Sequence, residues 1–161
     1  MLELLEQCES LPQHNLAVGD TLISEGEPST ALWVLAEGTL EVRKGDLRVA
    51  VISDPGACVG EVGLLVGIPA TATVVAVTPV RVHVAADGAG FLRERPEVAV
   101  LVARVLADRL YLVTTFLTDL QRQYGGTGGS LAVVDSVLSA LLERSGPTSE
   151  PGSAREPDPR Y

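Results

Sequence analysis

Between residues 16 and 86 the chain is cut by turn pairs into short β-branched runs, and this punctuation constrains the fold more than any other feature. The runs read TLIS, ALWVLA, TLEVRK, LRVAVIS, ATVVAV and VRVHVA. Between them stand VGD, EGEPS, EGT, KGD, DPG and TP. Short strands with turn signals roughly every eight to twelve residues indicate a β-barrel or sandwich. In TLEVRK, Leu40 and Val42 face one way and Glu41 and Arg43 the other, the period-2 pattern of a half-buried strand. The same rule applied to VRVHVA places Val80, Val82 and Val84 inside, with Arg81 and His83 outside. Trp33, in ALWVLAEG, reads as core or surface packing of this β-domain.

The hydrophobic period changes after Pro96. The stretch RPEVAVLVARVLADRLYLVTTFLTDLQRQ has no further Gly or Pro, and a proline suits the first turn of a helix. Leu106, Leu110, Val113, Leu117 and Leu120 keep four-three spacing, and Leu101, Val105, Leu112 and Phe116 form a second stripe beside them. That apolar face is wider than one seam needs. Two occupants fit it: the chain's own β-domain and the same helix of a second chain. A single wide intramolecular face is the alternative. Residues 96–123 are therefore expected to form a long helix that makes a homodimer.

The flanking segments are simpler. Residues 2–9 carry Leu2, Leu4 and Leu5 among glutamates, a short amphipathic helix. GGTGGS at 125–130 reads as a flexible linker. LAVVDSVLSALLERS follows, and residues 131–144 are expected to form a short amphipathic helix able to bind a protein partner. The Pro/Gly/Ser-rich residues 145–161 read as a disordered tail.

Composition narrows the function. The chain is 46% hydrophobic but only 4% aromatic, so its core is aliphatic. No apolar run approaches the roughly 20 residues of a membrane span, and the acidic start MLELLEQCES is unlike a signal peptide. A cytoplasmic protein with no membrane association is expected. Cys8 and Cys58 have no metal or disulfide spacing and read as small buried residues. The net charge of -9 and the lack of a basic cluster argue against direct nucleic-acid binding. No acid/base pair, nucleophile or metal cluster emerges, so no enzyme and no cofactor are expected.

One stretch is laid out to wrap a ligand: GEVGLLVGIPATATVV, Gly60–Val75. EVGLLV suits one short helical turn entered through Gly60, with Glu61 near its start. Such a start favours an anion, and glycines at 60 and 63 suit close approach of a ligand. Yet the stretch contains no Lys, Arg or His.

The order and spacing of GDTLISEGEPSTALWVLAEGTLEV, PGACVGEVGLLVGIPATATVVAVTPV and FLRERPEVAVLVARVLADRL, over roughly residues 10–122, resemble the cyclic-nucleotide-binding domain family. The resemblance implies a mainly β fold with helices: an eight-stranded, jelly-roll-like β-roll followed by a long C-terminal helix, within residues 1–124. It identifies Gly60–Val75 as a phosphate-binding cassette. It implies that Glu61 meets a ribose hydroxyl, that backbone groups of Gly60, Val62 and Gly63 meet the sugar-phosphate, and that Thr71, with Thr73 beside it, offers a hydroxyl to the phosphate. It makes Thr114 and Thr115 the nearest match to helix hydroxyls that contact the base. Ala70 occupies the place of the family's phosphate-binding arginine. Losing one charge-assisted bond of about 1.5–3 kcal/mol weakens binding roughly ten- to more than a hundredfold. Arg81, Arg93, Arg95 and Arg109 are the cations nearest at hand, and nothing in the sequence brings them to the cassette. Two functions stay open: a regulatory module that senses cyclic AMP, cyclic GMP or a related ligand weakly and signals through its long helix, or a ligand-free dimeric scaffold for protein interaction. The family's transcription factors carry a helix-turn-helix domain after the long helix, and no recognition helix is legible in residues 125–161.

Overall fold

A computed structural model describes residues 1–124. The readings for 125–130, 131–144 and 145–161 lie outside the described residues. In chain order the elements are α1 (Leu2–Cys8), β1 (Gln13–Leu16), β2 (Thr21–Ile23), β3 (Leu32–Glu37), β4 (Leu40–Lys44), β5 (Leu47–Ile52), β6 (Cys58–Val59), α2 (Glu61–Val66), β7 (Thr73–Ala76), β8 (Val80–Ala85), α3 (Gly88–Glu94) and α4 (Pro96–Tyr124). The eight strands form two antiparallel four-stranded sheets, ordered β1-β8-β3-β6 and β2-β7-β4-β5. This is the expected eight-stranded roll followed by a long helix.

Two cores hold it together. The first lies between the sheets: Leu16, Leu35, Val59, Val80 and Val82 from one sheet meet Leu40, Val74 and Ala76 from the other. The second covers the opposite face of the β1-β8-β3-β6 sheet, where Leu32, Val34, Cys58 and Ala85 pack with Leu4 and Cys8 of α1, Leu92 of α3, and Val98, Val102 and Val105 of α4. Each such aliphatic side chain contributes about 1.5–3 kcal/mol when fully buried. Burial pushes the Cys8 thiol up to about 11, against a weaker opposing pull from Arg95. It is protonated at neutral pH and packs as a small apolar group.

This double covering corrects the reading of β8. His83 was expected outside, but it is only 3% exposed. It shares a face with Ala85, and that face lies beneath the helices rather than in water. Its Nδ1 sits 3.3 Å from the Leu11 carbonyl. Val84, expected inside, is half-buried. Trp33 packs on the inter-sheet core, tilted against His14 with ring centroids 5.8 Å apart.

The first compact unit is Met1–Asp108; the described residues from Arg109 to Tyr124 belong to a second. Within the first, Val98, Val102 and Val105 of α4 are buried, with Leu101 and Leu106 packed beside them. In the second, Leu110, Tyr111, Leu112, Val113 and Phe116 are 48–70% exposed. Among the described residues no helix is long and apolar enough to cross a membrane, and no three His, Cys, Asp or Glu residues are grouped to hold a metal ion.

Candidate functional site: the Gly60–Thr73 cassette

Strand β6 ends at Val59, and Gly60 turns the chain into α2 with φ +89°. An L-residue rarely adopts that angle, and a Cβ there would stand 2.6 Å from the Ala31 carbonyl oxygen. The Ser29 hydroxyl donates to the Gly60 carbonyl at 3.3 Å. Gly63 has a different reason: a Cβ would lie 2.9 Å from the Ile68 carbonyl oxygen and 3.0 Å from Ser29 Cβ. Both glycines are thus required by the chain's own backbone packing. In the direction a Cβ would take, the space beside each is filled by protein.

Helix α2 brings Glu61 to its first turn, where a carboxylate favours the positive end of the helix dipole. Glu61 is 2% exposed, and burying a charged side chain is costly. The first intrahelical bond runs from the Leu64 N–H to the Gly60 carbonyl at 3.2 Å, which leaves the N–H groups of Val62 and Gly63 ahead of the helical ladder. The Val62 side chain is exposed, as are Leu65, Val66 and Ile68, so any polar role of Val62 belongs to its backbone. Along the cassette, Gly63, Leu64, Ile68 and Pro69 line an open groove of about 440 Å³ with Ser29 and Asp87.

After α2 the chain pairs with the turn that follows β2. The Ala70 N–H donates to the Glu27 carbonyl, and the Gly26 N–H donates to the Ala70 carbonyl, both at 2.8 Å. The Ala70 side chain is buried. Thr71 is half-buried, and its carbonyl accepts from Lys44 Nζ at 2.9 Å. The Thr73 hydroxyl accepts from the Glu25 N–H at 3.1 Å, so it already fastens that turn to β7.

Lys44 and Glu25 were not singled out in the sequence. Lys44 Nζ lies 3.5 Å from Glu25, and the Gly45 N–H donates to the same carboxylate at 2.9 Å. The Gly45 hydrogen bond and the nearby Lys44 charge hold the Glu25 carboxyl below its ordinary range. The available signal was the strand period: Lys44 continues the Leu40, Val42 face of β4. Two of the arginines near the cassette in sequence, Arg81 and Arg95, are engaged by other side chains. Arg81 pairs with Glu37 at 3.1 Å. Arg95 bonds Gln7 at 2.6 Å and pairs with Glu97. Arg93 is exposed on α3, and Arg109 opens the second unit.

Gly60, Glu61, Val62 and Gly63 therefore share one turn and helix, and Ala70, Thr71 and Thr73 follow it directly. Thr114 and Thr115 belong to the second unit, on α4. The Thr118 hydroxyl donates to the Thr114 carbonyl at 2.8 Å, and Thr115 is exposed.

A profile of the cyclic nucleotide-binding domain family matches residues 13–92, from β1 into α3. A CRP-like cAMP-activated global transcriptional regulator from Mycobacterium tuberculosis is 30% identical over 108 residues, covering 63% of this chain and 48% of the relative. The chain thus spans about half the length of the curated relatives it matches. The N-terminal domain of a transcriptional regulator from Streptomyces coelicolor A3(2) is 34% identical, covering 67% of this chain and 79% of that one, with a TM-score of 0.50. The Thermus thermophilus catabolite activator protein, at 24% identity, shares the fold with a TM-score of 0.58, covering 89% of this chain and 84% of that one. With the family profile matched over residues 13–92 and the eight-stranded roll in place, the chain belongs to the cyclic nucleotide-binding domain family.

Proposed function

We propose that this chain is a regulatory module that binds a cyclic nucleotide or a related small ligand weakly at the Gly60–Thr73 cassette and signals through α4 to a partner, the first partner being a second copy of itself. The observation that carries this reading is Glu61, a carboxylate 2% exposed at the start of α2. A carboxyl group at this place accepts hydrogen bonds, and ribose hydroxyls are donors suited to it. The N–H groups of Val62 and Gly63 and the Thr71 hydroxyl are the candidate phosphate contacts, with Thr114 and Thr115 the candidate base contacts. The curated relative is named as cAMP-activated and as a transcriptional regulator, which supports a regulatory role here.

The sugar provides the test. Cyclic AMP and its 2′-deoxy analogue are titrated into the wild type and Glu61→Gln. The wild type should prefer the ribose form by about tenfold or more, the worth of one charge-assisted bond. Glu61→Gln should lose most of that preference. Equal affinity of the wild type for both nucleotides would remove the ribose role.

A second reading is favoured by two observations: Ala70 brings no charge to the cassette, and the apolar residues Leu110–Val113 and Phe116 are exposed. In that reading the roll is a ligand-free support for a dimeric interaction surface. The two readings part on whether any cyclic nucleotide binds.

A further inference from the structure

The cassette supplies no cation of its own, but the fold brings one to it from β4. Strand β4 pairs with β7 in unbroken register, Leu40 opposite Ala76, Val42 opposite Val74 and Arg43 opposite Thr73. Leu40, Val74 and Ala76 belong to the inter-sheet core, with Val42 packed against it. By the strand period, Lys44 is the next residue on that inner face, while Glu41 and Arg43 lie on the outer one. The outer charges satisfy one another: Arg43 and Arg48 both pair with Glu41. Lys44 instead reaches the Thr71 carbonyl, one residue beyond Ala70. The turn carrying Glu25 is fixed to the same place by the backbone pairing of Gly26 and Glu27 with Ala70. The Lys44 side chain is 46% exposed, so its ammonium can exchange partners.

We propose that Lys44 is the phosphate-facing cation of this cassette, held at the Thr71 carbonyl and shared with Glu25, so that an anionic ligand gains the ammonium only in competition with the Glu25 carboxylate. The inference rests on the reading that the cassette binds a cyclic nucleotide. A lysine is a compact point charge with three donors on a flexible stem. It can keep the Thr71 carbonyl and still turn a second N–H toward a phosphate oxygen. Glu25 then sets the affinity: its carboxylate, tied also to the Gly45 N–H, opposes the ligand without touching it. The ligand class that follows is a singly charged phosphodiester such as a cyclic nucleotide monophosphate, bound weakly and with marked salt dependence.

The full chain is titrated with cyclic AMP and with uncharged adenosine, followed by NMR shifts, in the wild type, Lys44→Gln, Glu25→Gln and Ala70→Arg. Lys44→Gln should weaken cyclic AMP binding by roughly five- to tenfold, less than a fully buried ion pair would give because Lys44 is half-exposed. Glu25→Gln should tighten cyclic AMP binding by about two- to fivefold, the scale of one surface ion pair. Neither change should move adenosine affinity, whereas a purely structural role for the pair would shift both ligands together. If Lys44→Gln leaves cyclic AMP affinity unchanged while Ala70→Arg tightens it, the Lys44 assignment is overturned and the cassette reading stands. If neither the wild type nor Ala70→Arg binds cyclic AMP at millimolar concentration, both fall.

Discussion

The most consequential residue is alanine at position 70. It is buried and tied through both backbone groups to the Gly26–Glu27 turn, so the cassette is closed at that point by backbone rather than by a charged side chain. Gly60 shows how little freedom the surrounding turn has. Its φ of +89° and the Ala31 oxygen 2.6 Å from a hypothetical Cβ oppose any side chain. Gly60→Ala should therefore destabilise the roll by about 1–3 kcal/mol, measured by chemical denaturation. A loss under about 0.5 kcal/mol would show that the turn relaxes freely. The glycines, Glu61 and Ala70 were legible in the sequence as a wrapping turn with one acid and no cation. Their packing reasons were not, because Gly60 meets Ala31, and Gly63 meets Ser29 as well as the nearby Ile68 carbonyl; Ala31 and Ser29 lie some thirty residues away.

At the scale of elements, the six strands that stand as β-branched runs between turn pairs were legible and the other two were not. β1 reads QHNL, with Leu16 its one buried residue, and β6 is only Cys58–Val59; neither offers a period to detect. Helix α3 was missed for a different reason. It opens GAG, where propensity disfavours a helix, yet Asp87 caps it by accepting from the Gly90 N–H at 2.9 Å. His83 was misassigned because alternation identifies two faces and not which of them is wet. The period change after Pro96 did mark α4, whose observed span, Pro96–Tyr124, extends the expected helix by one residue. Its apolar residues differ along its length: Val105 of the second stripe is buried together with Val98 and Val102, which neither stripe included, while Leu112 and Phe116 are 65% and 63% exposed. An exposed apolar helix face of this kind fits an interaction surface. If a second copy covers it, the double substitution Leu112→Asp with Phe116→Asp should convert a dimer to monomer in sedimentation while leaving the thermal transition of the roll in place. A wild type that sediments as monomer at high concentration would contradict the homodimer.

At the scale of the whole molecule, the family's roll is present while residues 60–75 carry no Lys, Arg or His. The two cores, neither of which includes Ala70, build the roll without help from a charge at that position. On the proposed reading, what a charge there changes is affinity. With a net charge of -9 over the whole sequence, long-range attraction would not assist an anionic nucleotide, and on the proposed reading local donors and cations supply the attraction. The most direct test is calorimetric titration of cyclic AMP and cyclic GMP into the wild type and Ala70→Arg. Weak binding by the wild type, tightened by about tenfold or more in Ala70→Arg, is the result predicted; tight binding by the wild type with no gain in Ala70→Arg, or no binding by either protein at millimolar nucleotide, would contradict it.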